Sequence, residues 1–529
     1  MFDILIRNGR IVDGTGNPWF PADVGIEHDR ITVVGNLSNA EAAMTIDAQD
    51  AIVCPGFIDC HSHSDQTILA NREATSSVYQ GVTTEIVGNC GLGFAPVTKI
   101  SRSVTEKMVH SLTPEVPVSW SSCGDLLDRI DEGIAINIGY LVAHGAIRRA
   151  AMGSADRAPN LAEIATMERL LAESLDAGAL GLSFGLEFMP GRLAGRDELL
   201  HMCQVAAERG KPTAWHVRDR TRDFEASVNE ALSVTRETGA ALQLSHLSAK
   251  PGSAPRAWNR VMEAVRLARA QGQDVQCDMI PYNVGPGLLA AILPVWATQG
   301  TVDEVQARLR DPATRERLIA QSDRYWMMFS RREWDKITLT ASQAHVNWVG
   351  MTLREIGQAT GEDPFDCVYD ILADEGEGYE QVWVNGVLFT EGDIIEWLAD
   401  PLFSIASDGF TSKDHGPLSK IINHPNSFGW TPRVLGAYVH ELRTMSLEEA
   451  IRKMTSMPAT RFGLLDRGLL RPEMMADVAV FNEEAFRTRA TYLKPQIYAE
   501  GMQTVIVNGQ VALQDGAPTD TLAGRVIRP

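Results

Sequence analysis

The first fifty residues alternate apolar and polar positions in short runs, the two-residue period of half-buried strands. Asp3-Ile4-Leu5-Ile6-Arg7 leads into Asn8-Gly9, a dipeptide that favours a hairpin turn, and then into Arg10-Ile11-Val12. Val24-Gly25-Ile26 and Ile31-Thr32-Val33-Val34 continue the pattern. From about residue 52 the texture changes, and short apolar runs alternate with amphipathic stretches of helical period. The runs are Gly56-Phe57-Ile58-Asp59, Thr84-Glu85-Ile86-Val87, 136–142, Gly181-Leu182-Ser183-Phe184, Thr213-Ala214-Trp215-His216, 241–245, 275–279 and 403–407. Helical patterns cover 161–177 and 257–271, among others. Strand and helix in alternation imply a parallel sheet, and eight such strands suit a TIM-type (β/α)8 barrel. A long gap precedes the eighth strand. Its charged helical material at 302–332 predicts an inserted subdomain at about 285–345. Strand patterns return in 476–481 and Thr504-Val505-Ile506-Val507, then the turn Asn508-Gly509, then 510–513. The reading is an α/β protein in which residues 1–54 and 466–529 form one small β-sandwich beside a barrel over 55–465.

Composition narrows the partners. The 529 residues are 44% hydrophobic, enough for a sizeable core, and carry a formal charge of −20. An acidic surface repels phosphate backbones and anionic lipid, which argues against nucleic acid and membranes as partners. No apolar run approaches the roughly 18 residues that a membrane span needs. The N-terminus enters a strand directly instead of through the basic and apolar segments of a signal peptide, so a cytoplasmic protein is expected. Seven widely spaced cysteines, an odd number, do not resemble a disulfide framework. The composition leaves a homo-oligomer open.

The ends of the predicted strands carry the chemistry, because reactive residues of such barrels lie at the C-terminal strand ends. The first strand ends in His61-Ser62-His63 and the second runs into Asn89-Cys90-Gly91. The fifth ends in His216, the sixth in His246 and the eighth in Asp408. A lone buried histidine is more often a satisfied core residue, and a free cysteine usually behaves as a small hydrophobe. Five metal-capable side chains and a carboxylate at equivalent strand ends make that reading poor for the set. The two histidines of His61-Ser62-His63 also project to one side of an extended chain. Imidazole and thiolate suit zinc, whose bound water is acidic enough to attack a carbonyl near neutral pH. An aspartate beside that water can carry its proton to a leaving nitrogen. The reaction class is hydrolysis of a linear amide, with a small-molecule amide as the partner.

At these residues the chain resembles the amidohydrolase superfamily, and within it the N-acyl-D-amino-acid deacylase (D-aminoacylase) branch. Pro55-Gly56-Phe57-Ile58-Asp59-Cys60-His61-Ser62-His63 is similar to the superfamily's first-strand motif. Gly81-Val82-Thr83-Thr84, Val87-Gly88-Asn89-Cys90-Gly91, Ser407-Asp408-Gly409 and Phe428-Gly429-Trp430-Thr431-Pro432-Arg433 resemble the deacylase branch. The resemblance implies one tight zinc at Cys90, His216 and His246, and a second, weaker site at His61 and His63 with Cys90 bridging. It also implies Asp408 as general acid and base and Tyr282 as a substrate and oxyanion ligand. The fourth strand offers no lysine for the carboxylated bridge of other relatives, which supports the cysteine type of centre.

Departures from the branch concern the substrate. Phe188 stands where the branch has a tyrosine, Val217-Arg218-Asp219-Arg220 replaces Met-Arg-Ser-Glu, and Ser248 takes the place of a lysine, with Lys250 displaced nearby. Each lost hydrogen bond to a charged group costs about 1.5–3 kcal/mol. These changes predict an amide whose acyl or amine part is not an ordinary free D-amino acid, unless Arg218, Lys250 or Arg433 restores the cation. Two alternatives stay open at this point. One is a cyclic-amide hydrolase, against which the missing lysine argues. The other is a non-catalytic metal- or ligand-binding protein on the same fold.

Overall fold

The computed structural model describes residues 1–320, 327–421 and 424–528. Eight parallel strands stand side by side in chain order: Phe57–Asp59, Val82–Val87, Asn137–Ala143, Gly181–Gly185, Thr213–His216, Leu242–Leu244, Val275–Met279 and Phe403–Ile405. Alternation along them divides two cores. Leu182, Phe184, Trp215, Leu242, Leu244 and Met279 join the large core shared with the surrounding helices. Ile58, Ile86, Leu141, Ala214 and Ala406 meet inside the ring, closed by Phe462 and Leu464. The helices Leu161–Asp176 and Ala257–Ala270 form where the apolar period predicts them. The first starts at Asn160, whose side chain accepts from the Ala162 and Glu163 amides while Glu163 accepts from the Asn160 amide. That capping box satisfies first-turn N–H groups that have no intrahelical partner.

The ring is drawn together between its first and eighth strands by residues just beyond their ends. The Asp408 amide donates to the His61 carbonyl at 2.9 Å, and the His63 amide to the Gly409 carbonyl at 2.7 Å. Asp59 accepts the Ser407 amide at 3.1 Å and the Ser407 hydroxyl at 2.5 Å. The seam of the barrel therefore runs through the predicted site.

Both chain ends share one nine-stranded sheet, joined where Ile52–Pro55 pairs antiparallel with Val478–Phe481 and parallel with Phe2–Ile11. Val53, Val478, Val480 and Ile506 point into a core with Ile4, Ile6 and Ile26. Their neighbours Ile52, Cys54, Ala479, Phe481 and Val505 belong to the main core, so the sheet is anchored on the barrel by its other face. The two Asn-Gly pairs differ. Asn508-Gly509 turns between Met502–Val507 and Gln510–Gln514, both residues at positive φ. Asn8-Gly9 is instead a bulge inside the continuous strand Phe2–Ile11. Only Asn8 has positive φ there, and the two-residue hairpin needs it at both positions.

The insertion is longer than predicted. Its antiparallel sheet consists of Val284–Leu288, Ile337–Ala341 and Trp383–Val387, with the last strand in the middle. The unit is incomplete until Val387, well past the predicted end at 345, because its central strand comes last in sequence. Phe329 and Trp334 are buried in its own core, and Trp326 lies outside the described residues. All seven cysteines are free and buried. Among the described residues no helix is long and apolar enough to cross a membrane.

A buried polar cluster fastens the nine-stranded sheet to the third barrel strand. Asp477 pairs with Arg467, accepts from Asn137 Nδ2 at 3.2 Å and from the Asn508 amide at 2.7 Å. Asn508 Nδ2 donates to Asn137 Oδ1 at 2.7 Å. Removing one partner of a buried ion pair strands the other charge. Asp477→Ala is expected to lower stability in urea unfolding by about 3–5 kcal/mol. A loss no larger than the ~1 kcal/mol of an exposed pair would mean that Arg467 is solvated after the truncation.

Candidate active site

Four side chains from the ends of the first, second, sixth and eighth strands converge. Donor atoms of His61, Cys90, His246 and Asp408 all lie within 4.8 Å of one another. The Nε2 atoms of His61 and His246 are 3.2 and 3.3 Å from Cys90 Sγ. Asp408 Oδ1 lies 3.4 Å from His61 Nε2 and 3.1 Å from His63 Nε2. His216 flanks the group, its ring centroid 4.4 Å from that of His246. Nδ1 of His216 is buried without a hydrogen-bond partner, as a nitrogen available to a cation would be, and His63 turns Nε2 to the cluster. Imidazole, thiolate and carboxylate together suit a transition metal, zinc above all.

The backbone is bent to make this group. Cys90, His246 and Asp408 all have positive φ, at 53°, 34° and 51°. Such a conformation costs a non-glycine residue about 1–3 kcal/mol and persists only where the surroundings enforce it. The enforcement at Cys90 is visible. Its loop lies on the fourth strand so closely that a Cβ on Gly185 would sit 1.7 Å from the Cys90 carbonyl oxygen. Ser183 laces the loop down, donating to the Gly88 carbonyl at 2.5 Å and accepting from the Gly91 amide at 3.1 Å. The fourth strand, which supplies no lysine, thus holds the cysteine in place.

The electrostatics pair opposite charges within the cluster. Burial lowers His61 and His63, but Cys90, Asp278 and Asp408 hold His61 well above its ordinary value, and Asp408 and Cys90 hold His63 up to about 10. Burial pushes the Cys90 thiol up, but the imidazoles of His61, His246 and His216 together hold it well below its ordinary value. Burial and the nearby Arg220 guanidinium bring His246 down to about 4, leaving it neutral. Burial raises Asp408, yet His61 and His63 outweigh it and keep the carboxyl ionised. Behind the donors stands a second row that sequence reasoning missed. His61 Nδ1 donates to Asp278 Oδ1 at 3.1 Å, and Asp278 also accepts from the His246 amide and from Gln243 Nε2, both at 2.7 Å. His216 Nε2 donates to Glu187 at 2.7 Å, and Glu187 pairs with Lys250 at 3.1 Å. Burial raises Glu187, but Lys250, His216 and Arg220 hold it far below the usual carboxylate range. The available signal was positional: Asp278 and Glu187 are carboxylates at, or just past, the ends of the seventh and fourth strands.

A cavity of about 320 Å³ opens over His246 and Asp408. One wall is charged, with Arg192, Arg220, Lys250 and Glu187; the other is apolar, with Met279, Met328, Leu388, Phe389 and Trp397. The predicted substrate residues divide accordingly. Phe188 and Lys250 line the cavity, Phe188 with its ring 4.6 Å from that of His216. Arg218 lines it too, but its guanidinium is committed to Glu230 and to the carbonyls of Arg192 and Ala194. Tyr282 and Arg433 are not among the lining residues. Tyr282 donates to the Pro425 carbonyl at 3.3 Å, and Arg433 stacks 4.8 Å over its ring while donating to the Pro281 carbonyl. His144 and Arg148 are buried together on Glu198, at 2.8 and 3.0 Å, as structural groups. His424 donates to the Val284 carbonyl at 2.9 Å.

Comparison with known proteins agrees with this geometry. The sequence model of the amidohydrolase family matches residues 44–513. N-acyl-D-glutamate deacylase of Alcaligenes xylosoxydans xylosoxydans is 33% identical, over 99% of this chain and 96% of its own length. D-aminoacylase of the same organism is 30% identical, over 99% of this chain and 97% of its own. The crystal structure of N-acyl-D-glutamate deacylase from Bordetella bronchiseptica, complexed with zinc and a phosphonate mimic of the tetrahedral intermediate, superposes with a TM-score of 0.79. It shares 30% identity, with both chains fully covered. The strand-end donors, the closed ring and the relatives at full length agree, and the chain belongs to the amidohydrolase family, hydrolases of carbon–nitrogen bonds other than peptide bonds.

Proposed function

We propose that the chain is a zinc-dependent deacylase of a linear N-acyl amino acid, with the substrate carboxylate on the charged wall of the cavity and an apolar acyl group or side chain on the other. The observation that carries the substrate half is Arg220. Its guanidinium lines the cavity beside the donor cluster, and its Nε is buried without a hydrogen-bond partner. Arg192, Arg220 and Lys250 bring three positive charges to this wall against the carboxylates of Glu187 and Asp219, which leaves one positive charge for an anion. Arg220 thus supplies a cation in place of the lysine missing at Ser248. Relatives named for N-acyl-D-glutamate, N-acyl-D-aspartate and D-amino-acid substrates support the same class. The apolar wall of Met279, Met328, Leu388, Phe389 and Trp397 favours a larger hydrophobic group.

Cys90, His216 and His246 would hold the tight zinc, and His61 and His63 a weaker second position close to Cys90. The buried, unpartnered Nδ1 of His216 and the lowered Cys90 thiol fit that assignment. A zinc ion held there would supply a Lewis acid for the amide carbonyl and lower the pKa of water toward ~7. Asp408, ionised and 3.1 Å from His63, takes the proton of the attacking water and returns it to the leaving nitrogen. Tyr282, whose hydroxyl donates to the Pro425 carbonyl at 3.3 Å, is the candidate donor to the oxygen on which negative charge develops. Arg433 stacks on the Tyr282 ring and orients it, while Arg218 stays on Glu230 and the Arg192 and Ala194 carbonyls.

Asp408→Asn is expected to lower kcat by about 10²–10⁴ while the zinc content of the purified protein stays that of wild type. Undiminished turnover would show that another group moves the proton. Tyr282→Phe should cost about 10²–10³ in kcat, read by steady-state kinetics, if the hydroxyl meets the oxyanion. An N-acyl amino acid should be preferred over its methyl ester by about 10–150-fold in kcat/KM, the equivalent of one charged hydrogen bond. Equal rates for acid and ester would instead support an amide lacking a free carboxylate.

A further inference from the structure

A histidine that holds a metal through one ring nitrogen keeps its proton on the other, and that N–H donates to a carboxylate or carbonyl. Two histidines of this site obey the rule, His61 with Nδ1 on Asp278 and His216 with Nε2 on Glu187. His246 does not. Its Nε2 faces Cys90 Sγ at 3.3 Å, and its Nδ1 faces Nη1 of Arg220 at 2.9 Å. A guanidinium has five donors and no acceptor. The contact therefore exists only with Nδ1 unprotonated and the ring proton on Nε2, the nitrogen that points at the thiol. A metal on Nε2 moves that proton to Nδ1 and sets N–H against N–H. The arginine stands where the sixth-strand histidine needs an acceptor.

We propose that Arg220 sets the metal affinity of this site: it holds His246 in the tautomer that opposes a metal and leaves that contact when one binds. The inference rests on the zinc reading above. The guanidinium has somewhere to go. It lies 3.8 Å from Glu187 Oε2, its Nη1 already reaches the His246 carbonyl at 3.1 Å, and its Nε is buried without a partner. Metal loading and presentation of Arg220 to the cavity are then one linked event. The linkage belongs to this chain's own residues, because Glu187 balances an arginine on the loop after His216.

The test measures zinc affinity of the full chain, stripped of metal and titrated with Zn2+ against a chromogenic chelator, with folding checked by far-UV circular dichroism. Arg220→Gln offers an acceptor to Nδ1, Arg220→Met removes both charge and donors, and Arg220→Lys keeps both. Arg220→Gln is expected to bind zinc about 10–100-fold more tightly than wild type, Arg220→Met less so, and Arg220→Lys close to wild type. Should Arg220→Gln fail to fold, tighter binding by Arg220→Met than by Arg220→Lys carries the same expectation. Dissociation constants of the Gln and Met variants within about twofold of wild type, or weaker, overturn the inference and leave the zinc site standing. No zinc binding by wild type or any variant removes the zinc site itself and the inference with it.

Discussion

The parallel ring has to close, and it closes on Asp59. This buried carboxylate accepts the amide and hydroxyl of Ser407 together with the His61 amide at 3.1 Å. Those bonds tie the end of the eighth strand to the end of the first across more than three hundred residues of chain. Backbone bonds from Asp408 to His61 and from His63 to Gly409 then zip the seam. His61, His63 and Asp408 sit together because the seam puts them there. Every later feature of the site depends on that closure, since the remaining donors arrive at the same mouth from the strands in between.

Closure alone does not bring the donors within bonding distance of one ion. The left-handed backbone at Cys90, His246 and Asp408 does so, and its cost is offset by neighbours that leave no alternative. Gly185 and Ser183 hold the Cys90 loop, while Asp278 holds the His246 amide and the His61 ring at once. One carboxylate on the seventh strand thereby orients ligands from the first and the sixth. Against burial, the imidazoles around Cys90 hold its thiol well below the ordinary value.

The cavity joins two sources of structure. Its charged wall comes from loops after the fourth, fifth and sixth strands, close to the reacting centre. Part of its apolar wall, Met328 among it, comes from the insertion before the eighth strand. A substrate spanning both is gripped by an ionic contact and by burial of apolar area, which suits an amide with a carboxylate at one end and a hydrophobic group at the other. Arg220 belongs to both the cavity wall and the His246 contact, so metal and substrate recognition meet on one side chain.

Much of this was legible in the residue order. The alternation of short apolar runs with amphipathic helices determined the barrel, and strand-end positions singled out His61, His63, Cys90, His216, His246 and Asp408, because both signals are local and periodic. The extent of the insertion was not legible, since its central strand, Trp383–Val387, pairs with strands far away in sequence. Asn8-Gly9 and Asn508-Gly509 have the same composition, yet one is a bulge and the other a turn: the parallel partners of Phe2–Ile11 demand a continuous strand. The roles of Glu187, Asp278 and Arg220 were likewise decided only in three dimensions. Whether a charged side chain faces a ring nitrogen, a carboxylate or a cavity depends on loops that meet through space. The sequence by itself determined which donors reach the mouth of the barrel. The tertiary structure decided which nitrogen of each histidine is left for a metal, because that choice belongs to the partner on the ring's other side.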